Sequence, residues 1–157
     1  MSDIKLFMMD VDGVLTDGSM YYSENGDELK RFSTYDGKSM EFLRAKGIKS
    51  AIITSETTNI VSNRAKKMQI DYLYQGVQDK LRIAQEICAL EQISLDECSY
   101  IGDDVNDLEL LQNVKISACP MNARKEIKAI KGIYQLQTAG GSGAVREFVE
   151  YLLDRTT

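Results

Sequence analysis

The chain of 157 residues contains no histidine. That absence removes Ser-His-Asp triads, Cys-His dyads and the common zinc sites. Any chemistry must then rest on carboxylates, lysine, hydroxyls and a hard metal. Cysteine is scarce as well. Cys88, Cys98 and Cys119 form no metal or redox spacing. With no export signal in view, they read as reduced, inert thiols of a cytoplasmic protein. A basic excess is also missing: the formal net charge is -5, so no global positive field draws nucleic acid. An anionic substrate therefore needs local cations, helix N-termini or a metal. No apolar run is long enough to span a membrane, and the one near the start is broken by Asp10. There is no internal repeat, low-complexity tract or linker, so residues 1–157 are expected to form a single domain.

What is present is an alternation of apolar runs and helical patterns. Strands are predicted over 4–9, 49–54, 71–74, 98–101, 115–118 and 133–136. Helices are predicted over about 37–46, 57–68, 79–91, 105–113, 122–130 and 143–154, with Asp104 and Asn122 as helix starts and Gly47 as a stop. This order implies an α/β fold of the Rossmann type, a parallel sheet with helices on both faces. Ligands bind such sheets at the carboxyl ends of the strands. Asp10, Thr54 and Asp103 would then converge on one edge. The segment 18–33 breaks the alternation. Its Tyr21-Tyr22, Asn25-Gly26 and Leu29 signal a β-hairpin beside that edge, or else a surface decoration.

The chemistry-bearing stretches lie at those strand ends. Asp10-Val11-Asp12-Gly13 sets two carboxylates two residues apart where the chain leaves the first strand. Alone it reads equally as a helix cap or solvated turn. Gly102-Asp103-Asp104-Val105-Asn106-Asp107 gathers three more acids. A helix N-terminus favours Asp104 and Asp107 there. Asp103 is better explained by a cation, and magnesium takes oxygen ligands of this kind. Between the two clusters lie Thr54-Ser55 and Lys80. A hydroxyl, free backbone N–H groups and an ammonium can cradle a phosphate.

Taken in order, Asp10-x-Asp12, Thr54, Lys80 and Gly102-Asp103-Asp104-x-x-Asp107 resemble the four motifs of the haloacid dehalogenase superfamily of aspartate-nucleophile phosphatases. The resemblance covers nearly the whole chain. It implies that Asp10 attacks phosphorus and that Asp12 serves as general acid and then base. It implies Mg2+ held by Asp10, Asp103 and the backbone carbonyl of Asp12, with Asp104 and Asp107 behind them. Gly13, Thr54, Ser55 and Lys80 would hold the phosphate. Because the places where larger members carry a cap are nearly empty, the chain resembles the capless branch. Substrate selection then falls to the hairpin and to a neighbouring subunit, typically in a homotetramer.

Within that branch the chain is similar to the 3-deoxy-D-manno-octulosonate 8-phosphate phosphatases and their nine-carbon relatives. Asp10-Val-Asp-Gly-Val-Leu-Thr-Asp-Gly18, Tyr35-Asp36-Gly37, Tyr74-Gln75-Gly76 and Gly140-Gly-Ser-Gly-Ala-Val-Arg-Glu147 carry this likeness. The Gly140–Gly143 loop is a candidate to reach the substrate's carboxylate end, or a flexible lead-in to the last helix. One departure stands out. Those octulosonate enzymes usually continue the second motif with Gly-Arg, whereas this chain has Ser55-Glu56. Glu56, with Arg64 and Lys67 further along the same helix face, resembles a pattern for 9-phosphates of nine-carbon keto-deoxy sugar acids. The nine-carbon substrate is therefore the first expectation and the eight-carbon the second. Two readings of a different class stay open, a non-catalytic regulatory domain and a phosphoacceptor receiver.

Overall fold

In the computed structural model residues 4–155 are described. In chain order they form β1 (Leu6–Met9), a hairpin of β2 (Tyr21–Tyr22) and β3 (Glu28–Leu29), α1 (Thr34–Ala45), β4 (Lys49–Ile53) and α2 (Asn59–Met68). Next come β5 (Tyr72–Tyr74), α3 (Lys80–Glu91), β6 (Cys98–Ile101), α4 (Leu108–Asn113), β7 (Ile116–Cys119), α5 (Lys125–Lys128), β8 (Tyr134–Gln135) and α6 (Ala144–Asp154). Six strands join in one sheet in the order β5-β4-β1-β6-β7-β8, all paired in parallel.

Period-two alternation explains the two cores. Phe7, Met9, Ile52 and Ile101 point to one face, where Met40, Val61 and Phe148 bring α1, α2 and α6 against them. Leu6, Met8, Ile53 and Tyr100 point to the other, packed by Ala84, Ile87, Leu111 and Ile127 of α3, α4 and α5. A parallel strand buried on both faces must be apolar throughout, as the fully buried LFMM of β1 is. β1 lies between β4 and β6, where the strand order reverses. Such a switch point opens a crevice at the strand's carboxyl end.

Caps set the helix bounds more than apolar spacing does. α1 begins at Thr34, three residues before the predicted start, because the Ser33 side chain accepts from Tyr35 N–H. Thr58 and Asp79 cap α2 and α3 in the same way. The predicted helix 105–113 begins instead as a 3-10 turn, Val105–Asp107, capped reciprocally by Asp104 and Asp107. Asn122 does not start a helix. α5 begins at Lys125 after Arg124, and the Asn122 side chain is used elsewhere. The hairpin forms as expected, with Tyr21 opposite Leu29 and Gly26 at a φ of 87° in its loop.

Candidate active site

Asp10 follows the last residue of β1, Thr54 follows β4, and Asp103 lies two residues beyond β6. Together with Asp12, Ser55 and Glu56 they line one pocket of about 270 Å³. The loop after β1 is wound tightly: the N–H groups of Val14, Leu15 and Thr16 all reach the Val11 carbonyl. Thr16 Oγ1 closes it by accepting from Gly13 and Gly18 N–H. Gly13 has a φ of 84°, and a Cβ there would lie 2.0 Å from Asp103 Oδ2. Only glycine lets the first acidic loop approach the second this closely.

The Asp10 carboxylate is fixed at both oxygens. Oδ1 accepts from Val11 N–H at 2.7 Å, and Oδ2 lies 3.0 Å from Lys80 Nζ. Lys80 is buried and lies 2.6 Å from Asp107 Oδ1, which also accepts from the Tyr100 hydroxyl. Asp107 Oδ2 accepts from the N–H groups of Asp103 and Asp104 at 2.9 and 3.2 Å. Asp107 therefore orients both the lysine and the second acidic loop. Burial lowers the lysine's proton affinity, but Asp10 and Asp107 outweigh it and hold Lys80 above its ordinary value.

The acids are crowded. Burial, then the neighbouring Asp107, raise Asp10 to about 7 against the pull of Lys80. Burial, then Asp10 and Asp107, raise Asp103 to about 8. One oxygen each from Asp10, Asp103 and Asp107 lies within 4.8 Å of the others. Both Asp107 oxygens are already engaged, whereas Asp103 Oδ1 is buried with no hydrogen-bond partner. An unpaired buried carboxylate oxygen beside a second carboxylate fits a hard divalent cation such as magnesium. Asp10 and Asp103 are the side chains that would hold it. The cation would offset the repulsion between these carboxylates and an incoming phosphate.

Asp12 faces the same pocket with a partner that the sequence did not reveal. Lys30, just past β3 of the hairpin, reaches Asp12 Oδ1 at 2.7 Å and Glu56 Oε2 at 3.3 Å. Its side chain is wholly shielded from solvent. Glu56 is thus at the pocket as expected, though one of its oxygens is tied to the hairpin. Ser55 Oγ accepts from Asn106 Nδ2 and joins the second motif to the fourth. Asp104 lies at the rim as the cap of the 3-10 turn.

Arg64 and Lys67 are not brought to this pocket. They line a separate cavity of about 400 Å³ with Gly37, Lys38 and Arg44. Arg64 there donates to the Ser33 carbonyl at 2.9 Å and stacks over Phe32. The Gly140–Gly143 loop packs against the turn after β1. Gly141 N–H donates to the Val14 carbonyl, and Asn122 bridges Gly13 O and Gly140 N–H at 3.0 and 2.7 Å. The loop fastens the Asp10-x-Asp12-Gly13 turn from behind.

Three contributors escaped sequence reasoning: Lys30, Tyr100 and Asn122. Tyr100 carried a signal, since the hydroxyl of a tyrosine inside a buried strand needs a partner. Lys30 and Asn122 act through long-range contacts that no local pattern announces.

A family model for haloacid dehalogenase-like hydrolases matches residues 22–138. The 3-deoxy-D-manno-octulosonate 8-phosphate phosphatase of Yersinia pestis is 36% identical over 152 residues, spanning 97% of this chain and 81% of its own length. Its counterpart in Escherichia coli K12 is 35% identical over 151 residues, spanning 96% and 80%. A crystal structure of the Moraxella catarrhalis octulosonate phosphatase, in complex with magnesium, phosphate and KDO, superposes with a TM-score of 0.92 at 38% identity. That match covers 96% of this chain and 86% of the other. The chain belongs to the haloacid dehalogenase-like hydrolases. Within them it is a phosphoric monoester hydrolase of the sugar-acid phosphatase kind, with the α/β fold of that family.

Proposed function

We propose that this chain hydrolyses the terminal phosphate of a 3-deoxy-2-keto sugar acid through an aspartyl-phosphate on Asp10, with Mg2+ as cofactor. The observation that carries the reading is a single pocket that joins Asp10, Asp103 and Thr54 to Asp12 and Glu56. Asp10 Oδ bonds to phosphorus as the bond to the sugar oxygen breaks, and Asp12 gives that oxygen a proton. Water then attacks the same phosphorus, its proton passes to Asp12, and the bond to Asp10 breaks. Lys80 neutralises charge on the transferring group, and Thr54 and Ser55 offer hydroxyls and backbone donors to its oxygens. Asp104 completes the rim, Gly13 lies beneath it with its N–H spent on Thr16 Oγ1 rather than offered to the phosphate, and Asp107 holds Lys80 in place.

The substrate we favour is 3-deoxy-D-manno-octulosonate 8-phosphate, because the relatives with high coverage act on it by name. This reverses the order expected from the sequence. The nine-carbon 9-phosphate stands second, on the strength of Glu56, a pocket-lining acid with one carboxylate oxygen left for sugar hydroxyls. A homotetramer is part of the proposal. The exposed apolar side chains of Tyr21, Tyr22 and Leu29 on the hairpin support it, and Arg64 and Lys67 would then face a neighbour's site. The test is phosphate release from a panel of sugar phosphates, with magnesium and with excess EDTA. Turnover of an eight- or nine-carbon keto-deoxy acid phosphate, lost in EDTA, is expected. Equal turnover in EDTA, or preference for an unrelated phosphate, refutes the reading.

A further inference from the structure

Lys30 is unusual among the cations of this molecule. It projects from the hairpin, its ammonium is fully shielded, and three carboxylates converge on it: Asp12 at 2.7 Å, Glu56 at 3.3 Å and Glu28 at 3.4 Å. Met20 Sδ, from the other side of the hairpin, contacts the same nitrogen at 3.6 Å. Removing a lysine head from water is costly unless its partners are well placed. A hairpin needing only to cover the site has no use for such a group.

We propose that Lys30 is a positioning residue for the acid–base step, holding Asp12 toward the leaving oxygen and stabilising the carboxylate that forms as Asp12 gives up its proton. The contact is to Oδ1, which leaves Oδ2 for the proton transfer. When Asp12 is protonated the interaction with Lys30 is weak. As the proton leaves, negative charge grows on Asp12 beside a fixed, desolvated ammonium. The interaction is therefore stronger in the transition state than before it, and such an interaction raises the rate rather than binding alone. Glu56 takes another side of the same nitrogen, so the residue facing the sugar and the residue moving the proton share one anchor. The hairpin that carries Lys30 thereby becomes part of the catalytic assembly.

The inference rests on the phosphatase reading, and a leaving-group series separates the two. Aryl phosphates from p-nitrophenyl to phenyl, with a simple alkyl phosphate, range from leaving groups that need no proton to ones that need it fully. Lys30→Met should lose least kcat/KM on p-nitrophenyl phosphate, whose leaving group needs no proton. On the alkyl phosphate it should lose about ten- to a hundred-fold, part of what general acid catalysis supplies. The dependence on leaving-group basicity should steepen. Lys30→Arg, which keeps the cation, should restore most of the original slope. Equal losses across the series in Lys30→Met, or an unchanged slope, would make Lys30 a structural prop and overturn the proposal. Failure of the unaltered enzyme to hydrolyse any of the series with magnesium would instead sink the phosphatase reading itself.

Discussion

Replacing Gly140 with alanine tests how the catalytic turn is held. A Cβ at this position would lie 2.1 Å from the Gly13 carbonyl oxygen, 2.5 Å from its carbon and 2.6 Å from the Thr16 carbonyl oxygen. All three are backbone atoms, so no side chain can swing aside. Restoring ordinary van der Waals contact requires the turn or the loop to retreat by about 1 Å, a displacement that costs on the order of a hundred-fold when it reaches reacting groups. Gly13 adjoins Asp12 and packs against Asp103, so the shift would reach both. Overpacking of this kind also destabilises by about 1–3 kcal/mol. Gly140→Ala should therefore fold, melt at a lower temperature, and lose kcat on the order of a hundred-fold with magnesium saturating. Ser142→Ala, an exposed position on the same loop, should change little. If Gly140→Ala keeps near-normal kcat, the loop does not position the turn and the reasoning fails.

Other outcomes are open to direct measurement. Glu56→Ala should cut kcat/KM on the sugar-acid phosphate by about ten- to a hundred-fold through loss of a charge-assisted hydrogen bond. It should spare p-nitrophenyl phosphate, and parallel losses on both substrates would remove Glu56 from substrate selection. Metal dependence should vary with pH. In the metal-free fold burial and mutual repulsion raise Asp10 to about 7 and Asp103 to about 8, above the ordinary 3.8. The folded state then keeps protons that the unfolded chain has released, so this contribution to stability falls as pH rises from about 4 to 8. Magnesium competes with those protons, and its increase in melting temperature should be larger at pH 8 than at pH 5. An equal increase at both would contradict this account of the acidic pair. Arg64→Ala and Lys67→Ala should lower sugar-acid turnover only if these cations reach a neighbour's pocket. Light scattering that finds a monomer with unchanged selectivity would exclude that role.

The sequence made the sheet and the position of Asp10 legible because both rest on local rules. The apolar run ending in LFMM reads as a buried strand, which the structure makes fully buried, and the acids after it then fall at the sheet's carboxyl edge. The motif order pointed to Thr54 and Asp103, which line that pocket, and to Lys80, which lies 3.0 Å from Asp10 beside it. Less legible was whatever depends on contacts between distant segments. Asn122 reads locally as a helix cap, yet its amide is spent on Gly13 and Gly140, 109 and 18 residues away. Lys30 reads as an ordinary hairpin lysine until folding brings Asp12 and Glu56 to it, 18 and 26 residues away. Arg64 and Glu56 are near in sequence, but α2 carries Arg64 away from the pocket to pack on Phe32. Helix spacing places residues on one face and leaves open which cavity that face meets.

The central claim is a covalent phosphoryl group on Asp10. Its most direct test uses Asp12→Asn, in which water attack on the intermediate is slowed for lack of a base. The variant is mixed with magnesium and p-nitrophenyl phosphate, quenched in acid and mapped by peptide mass spectrometry. The account predicts one phosphoryl group per chain, on the peptide bearing Asp10, and none in the Asp10→Asn, Asp12→Asn double variant. A phosphoryl group on another residue, or substantial turnover by Asp10→Asn alone, would contradict it.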